Sequence, residues 1–146
     1  MIKAKVILIE DQLIPAYDMR KQLQDLGYEV LGIFTKAETA LKFLEENQGT
    51  ETFPDVVVTD ISLPGKMDGI EATRIITEKY HCAVVYLTGL YQLKVIEEAL
   101  ATRPYAFLIK PFDIYNAHIN IQISLYLHKL ENEIRSLKAE LKKYTG

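Results

Sequence analysis

Tryptophan is absent from this 146-residue chain, and cysteine occurs once, as Cys82. A single thiol allows no disulfide within the chain, so the fold has to rest on its own apolar core. That suits a reducing cytoplasm, with Cys82 as a small buried thiol beside a strand. Long hydrophobic runs are missing too. No stretch approaches the roughly 20 apolar residues of a membrane span, and Met1-Ile2-Lys3 leads directly into a strand, which argues against a cleaved signal. An excess of positive charge is also absent: 17 Lys and Arg stand against 20 Asp and Glu, a net charge of −3. Nucleic acid would find no basic footprint here. His81, His118 and His128 share no spacing with one another or with the carboxylates, so no histidine cluster stands out. The expectation is a cytoplasmic chain that touches neither membrane nor nucleic acid directly.

What is present is ordinary globular material, 49% hydrophobic and 25% charged, enough for one domain with a core of its own. Short apolar β-branched runs alternate with helical patterns. Lys5–Ile9, Glu29–Phe34, the run ending at Asp60, the run ending at Thr88 and Tyr105–Ile109 read as strands. Between them, helices are expected from Leu13 to Leu26 (stopped by Gly27), from Thr35 to about Asn47, from Asp68 to about Tyr80, and from just beyond Gly89-Leu90-Tyr91 to about Ala101. Thr35 with Glu38 and Asp68 with Glu71 have capping-box spacing. Gln48–Pro54 reads as a surface loop. Five β–α repeats with crossovers of this length imply parallel strands.

Parallel strands deliver their last residues to one edge of the sheet, where ligands bind in open α/β folds. That edge should gather Glu10 and Asp11 from the first strand, Asp60 from the third, Thr88 from the fourth and Lys110 from the fifth. Three crowded carboxylates repel unless a cation lies among them. Oxygen donors without Cys or His favour Mg²⁺ or Mn²⁺ over zinc. A lysine ammonium and a threonine hydroxyl beside them would suit a phosphoryl group, with an Asp oxygen attacking phosphorus in line.

The segments VILIED, VVVTDISLPGKMDGIE, VVYLTG and FLIKPF, in this order, closely resemble the receiver domain of two-component response regulators over about Lys5 to Leu127. The resemblance implies a flavodoxin-like (βα)5 fold, a doubly wound parallel five-stranded sheet of order 2-1-3-4-5. It implies that Asp60 accepts a phosphoryl group from a sensor histidine kinase or phosphotransfer protein. Glu10, Asp11 and Asp60 would hold Mg²⁺, with the backbone carbonyl of Ser62 as a further ligand. Thr88 matches the switch hydroxyl, Phe107 the switch aromatic and Lys110 the phosphate-binding lysine, whose bond to Pro111 would be cis. Phe107 lacks the hydroxyl of the tyrosine found in many receivers. Ser62 and Leu90 occupy the two positions that tune phosphoryl lifetime in this family. On this reading the chain is a signalling module, catalysing only its own phosphorylation and dephosphorylation.

The last helix should begin near Asp113 and run to Tyr144, about twice the length of the others. Leu127, Leu130, Ile134, Leu137, Leu141 and Tyr144 follow each other at spacings of three and four, a heptad seam. With Leu127, Ile134 and Leu141 as a positions, Glu133 at g would face Lys138 at e of a parallel partner. The expected division is a receiver over residues 1–127 and a coiled-coil extension over 128–146, giving a homodimer. Two alternatives stand beside this reading. One is an interaction module that works through the helix without phosphorylation. The other is an Mg²⁺-dependent aspartyl phosphohydrolase, which would want an acid two residues after Asp60, where this chain has Ser62.

Overall fold

The computed structural model describes residues 1–89 and 92–145. Its strands are β1 (Lys5–Ile9), β2 (Glu29–Phe34), β3 (Val56–Asp60), β4 (Ala83–Thr88) and β5 (Ala106–Ile109). Its helices are α1 (Leu13–Asp25), α2 (Ala37–Asn47), α3 (Gly69–Lys79), α4 (Leu93–Leu100) and α5 (Ile114–Thr145). All strand pairs are parallel, and their order is β2-β1-β3-β4-β5. This is a doubly wound, flavodoxin-like architecture with a long C-terminal helix. β1, β3 and β4 are nearly continuous apolar runs because both faces of the sheet are covered.

Side-chain alternation sorts the core into two layers. Val6 and Leu8 of β1 point with Val56, Val58 and Val85 towards α1 and α5, where Met19, Leu23, Ile121 and Leu125 close the layer. Ile7, Ile9, Val57 and Val84 face the other way, against Ala40 and Leu44 of α2 and Ile76 of α3. Ile61, Ile70, Tyr86 and Ala99 extend that second layer towards α4. A register shift between Val6 and Ile7 lets β2 follow β1 as a partly exposed edge strand.

Gly27 ends α1 at φ +100, as a left-handed stop should. Asp68 caps α3 by accepting from the Glu71 backbone N–H at 2.9 Å. The other expected box does not form. α2 starts after Lys36 with no side-chain cap, and Glu38 instead accepts from the Met67 backbone N–H at 3.1 Å. A glutamate beside a tight loop gains more by tying that loop down than by capping its own helix. α5 opens on Asp113, which accepts from the Asn116 backbone N–H. Its last buried side chain is Leu125, and every residue from Lys129 to Thr145 is exposed.

Candidate functional site

The C-terminal ends of β1, β3, β4 and β5 meet at one edge, as parallel pairing requires. β1 ends at Ile9, so Glu10 and Asp11 step off the sheet in the next two positions; the Glu10 backbone N–H still bonds the Phe34 carbonyl at 2.9 Å. Asp60 is the last residue of β3 and pairs in register with Leu87. Thr88 and Ile109 pair across β4 and β5, and the Lys110 N–H donates to the Thr88 carbonyl at 2.7 Å. Backbone pairing therefore sets the base of Glu10, Asp60, Thr88 and Lys110.

Side chains complete the cluster. One carboxylate oxygen from each of Glu10, Asp11 and Asp60 lies within 4.8 Å of the others. Lys110 Nζ lies 3.2 Å from Glu10 Oε2 and 3.0 and 3.1 Å from the two Asp60 oxygens. Glu10 and Asp60 are buried, whereas Asp11 is exposed at the mouth. Burial, with Glu10 beside it, pushes the Asp60 carboxyl up to about 7, against the pull of Lys110. Burial also works against the Lys110 ammonium, yet Asp60 and Glu10 raise its pKa overall. The cluster is thus short of positive charge. Hard oxygen donors at this spacing, with no thiolate or imidazole among them, fit a divalent cation such as Mg²⁺.

Thr88 is buried at the end of β4, its hydroxyl directed to the Gly89 carbonyl at 3.3 Å rather than to the carboxylates. Phe107 packs on Tyr86 with ring centroids 5.3 Å apart and touches the Ile61, Ile70 and Ala99 layer. Tyr86 is fixed in turn by its hydroxyl, 2.7 Å from Thr102 Oγ1. Ser62 is exposed in the loop after β3, and the Lys110-Pro111 bond is cis. Leu90 lies outside the described residues.

Gly69 is the site residue that sequence reasoning passed over. A Cβ there would fall 1.8 Å from the Asp60 carbonyl oxygen. Its N–H also donates to the Ile61 carbonyl at 2.8 Å, holding the first turn of α3 on the end of β3. The DGIE segment hints at this only through its position before a helix.

The family model described as the response regulator receiver domain matches residues 6–122. The chain belongs to the response regulator receiver family. Among its relatives, this receiver is 28% identical to the transcriptional regulatory protein PdtaR of Mycobacterium tuberculosis over 144 residues, covering 96% of this chain and 67% of PdtaR. It is 28% identical to the heme response regulator HssR of Staphylococcus saprophyticus, covering 82% of this chain and 56% of HssR. Among solved structures, it superposes on the signal receiver domain of a modulated diguanylate cyclase from Desulfovibrio desulfuricans G20 with a TM-score of 0.81 at 28% identity, covering 89% of this chain and 99% of that one. Receiver domains interact with histidine kinases or phosphotransfer proteins and bind Mg²⁺ at an acidic pocket. Among the described residues no helix is long and apolar enough to cross a membrane.

Proposed function

We propose that this receiver takes a phosphoryl group onto Asp60 from a phosphohistidine donor and passes the change to its long C-terminal helix. The observation that supports it best is the convergence of Glu10, Asp11, Asp60 and Lys110 within hydrogen-bonding and metal-ligating reach of one another. An Asp60 carboxylate oxygen attacks phosphorus, an Asp60 O–P bond forms, the donor P–N bond breaks, and the imidazole leaves. Lys110 follows the negative charge onto the phosphoryl oxygens, since its ammonium already bridges Asp60 and Glu10. Thr88 releases Gly89 and donates its hydroxyl to a phosphoryl oxygen. The space it vacates lets Phe107, already packed on Tyr86, turn further inward. Dephosphorylation is attack of water on the same phosphorus, returning inorganic phosphate and free Asp60.

Glu10, Asp11, Asp60 and the Ser62 carbonyl would hold Mg²⁺, which when bound neutralises charge on the carboxylates and the incoming phosphoryl group. A groove of about 520 Å³ beside Glu10 and Lys110, lined by Pro15, Met19, Pro111 and Phe112, offers the donor protein an apolar landing next to the reacting atoms. The chain divides into a receiver over residues 1–127 and a helical extension over 128–146 that pairs with a second copy and carries the output. The protein acts in the cytoplasm.

The test is intact mass after incubation with Mg²⁺ and acetyl phosphate. One phosphoryl group should add to the protein, and Asp60→Asn or omission of Mg²⁺ should abolish the gain. No gain at any donor concentration, with helix-mediated pairing intact, would favour the interaction module that needs no phosphorylation. Steady release of phosphate from many small phosphate esters would favour the phosphohydrolase.

A further inference from the structure

At the N-terminal edge of the sheet, opposite the carboxylate cluster, α5 leaves the body beside the residues that lead into β4 and β5. A groove of about 450 Å³ opens there. Its body side carries His81, just before β4, and Arg103 and Tyr105, just before β5. Its helix side carries His128, Glu131, Arg135 and Lys138. Three fixed positive charges therefore share one groove with a single carboxylate, in a chain whose net charge is −3. Like charges gathered on a concave surface build a local potential that attracts anions.

Two features separate this groove from a helix whose charges merely face water. The first is Arg135. Glu131 stands four residues before it, the spacing and order in which a carboxylate and a cation pair well on a helix. Glu131 instead accepts the Tyr105 hydroxyl, and Arg135 donates to Asn132 at 3.0 Å. Among the described residues Arg103, Arg135 and Lys138 form no ion pair. Burial raises the Tyr105 pKa and lowers that of His128, and on both the Arg135 charge pulls downward, so it acts on the groove floor. The second feature is Arg103. It follows α4 with φ 58, the one non-glycine residue in the left-handed region among the described residues, and its N–H donates to the Leu100 carbonyl at 3.0 Å. Helices that stop this way do so on glycine or asparagine, because a larger side chain strains that conformation. An arginine held there sets a guanidinium on the rim of the groove.

We propose that this groove is a second ligand site, taking the phosphate of a phosphorylated small molecule between Arg103 on the body and Arg135 and Lys138 on α5. Two guanidinium forks match the paired oxygens of a phosphate, and Lys138 adds a mobile point charge. Phosphate alone would leave most of the volume unfilled. At about 450 Å³ the groove has the size of a small-molecule pocket, and Tyr105 and Ile134 give it a ring and an apolar surface beside the cations. Those dimensions fit a nucleoside phosphate. Bound there, the ligand ties the extension to the body across the sheet from Asp60 and leaves the carboxylate cluster free.

The experiment is titration calorimetry of the full chain with ATP, pyrophosphate and inorganic phosphate in chelator, where the metal-free carboxylate cluster repels anions. ATP should bind once per chain and more tightly than the other two. Arg135→Gln and Arg103→Asn should each weaken it about tenfold or more, and Lys138→Gln by less. Asparagine suits the left-handed position, so Arg103→Asn should keep or raise the urea midpoint while binding falls, a pattern that loss of structure cannot produce. Lys142→Gln, further along α5 and outside the groove, should bind as the parent does. Pyrophosphate or phosphate binding as tightly as ATP, with the same loss in the variants, would uphold the anion site and assign it to inorganic phosphate. Failure of all three to bind, or affinity unchanged in both arginine variants, would overturn the site. Binding that needs Mg²⁺ and disappears in Asp60→Asn would place the anion at the phosphorylation edge and overturn it equally.

Discussion

Without metal, Asp60 is buried beside Glu10, with the Lys110 ammonium only partly offsetting burial and repulsion, and its pKa rises from 3.8 to about 7. The unfolded chain then releases this proton before the folded one does. The resulting penalty is absent below about pH 4, grows as pH rises, and is complete above about 7. Asp60→Asn in chelator should therefore stabilise the protein at pH 8 by about 1–2 kcal/mol once solvent screening is allowed for. The gain should vanish near pH 4; urea titrations at the two pH values check both points. Gly69→Ala should do the opposite. Its Cβ would collide with the Asp60 carbonyl, costing about 1–3 kcal/mol and slowing phosphoryl uptake, read by urea midpoint and by mass. The charged residues could be read from sequence because parallel strands end at one edge, which makes Glu10, Asp60 and Lys110 neighbours whatever the details of packing. Gly69 could not: its constraint is a close approach to the carbonyl of a residue nine positions earlier, and the sequence shows only a glycine after a cap.

Strand and helix positions followed their periodicity closely, because burial on both sheet faces leaves β1, β3 and β4 apolar apart from Lys5 at the start of β1 and Thr59, Asp60 and Thr88 at the ends of β3 and β4. Local cap spacing was less informative. Asp68–Glu71 forms half of its box, while Thr35–Glu38 is overruled by the Met67 N–H, a tertiary partner that spacing cannot reveal. The root of the α5 extension is likewise a tertiary matter. Tyr105, the residue before β5, donates to Glu131 and lies 3.2 Å from His128 Nδ1. Burial lowers the His128 pKa below 6.5, with Arg135 assisting and Glu131 opposing. The folded state thus holds His128 neutral. Its stability is full above about pH 6.5 and falls as pH drops, because the unfolded chain takes the proton first. His128→Gln should flatten thermal stability between pH 7 and 5 relative to the parent, measured by calorimetry in the presence of Mg²⁺.

At the scale of the molecule, every buried side chain lies at or before Leu125 among the described residues, so the receiver body holds the whole core. A chain ended after Leu127 should unfold in one cooperative transition and remain monomeric. It should lose about 1–2 kcal/mol with the Tyr105 bonds to His128 and Glu131, as denaturant titration and sedimentation would show. The same bonds give the molecule a lever. Leu125 is the fulcrum, Tyr105 grips the helix at Glu131, about 9 Å along it, and Thr145 is about 30 Å out. A displacement of β5 is therefore enlarged about threefold at the tip. A sideways shift of about 0.5 Å at Glu131, too small to change a side-chain contact in the body, would swing the tip of the helix by about 1.5 Å.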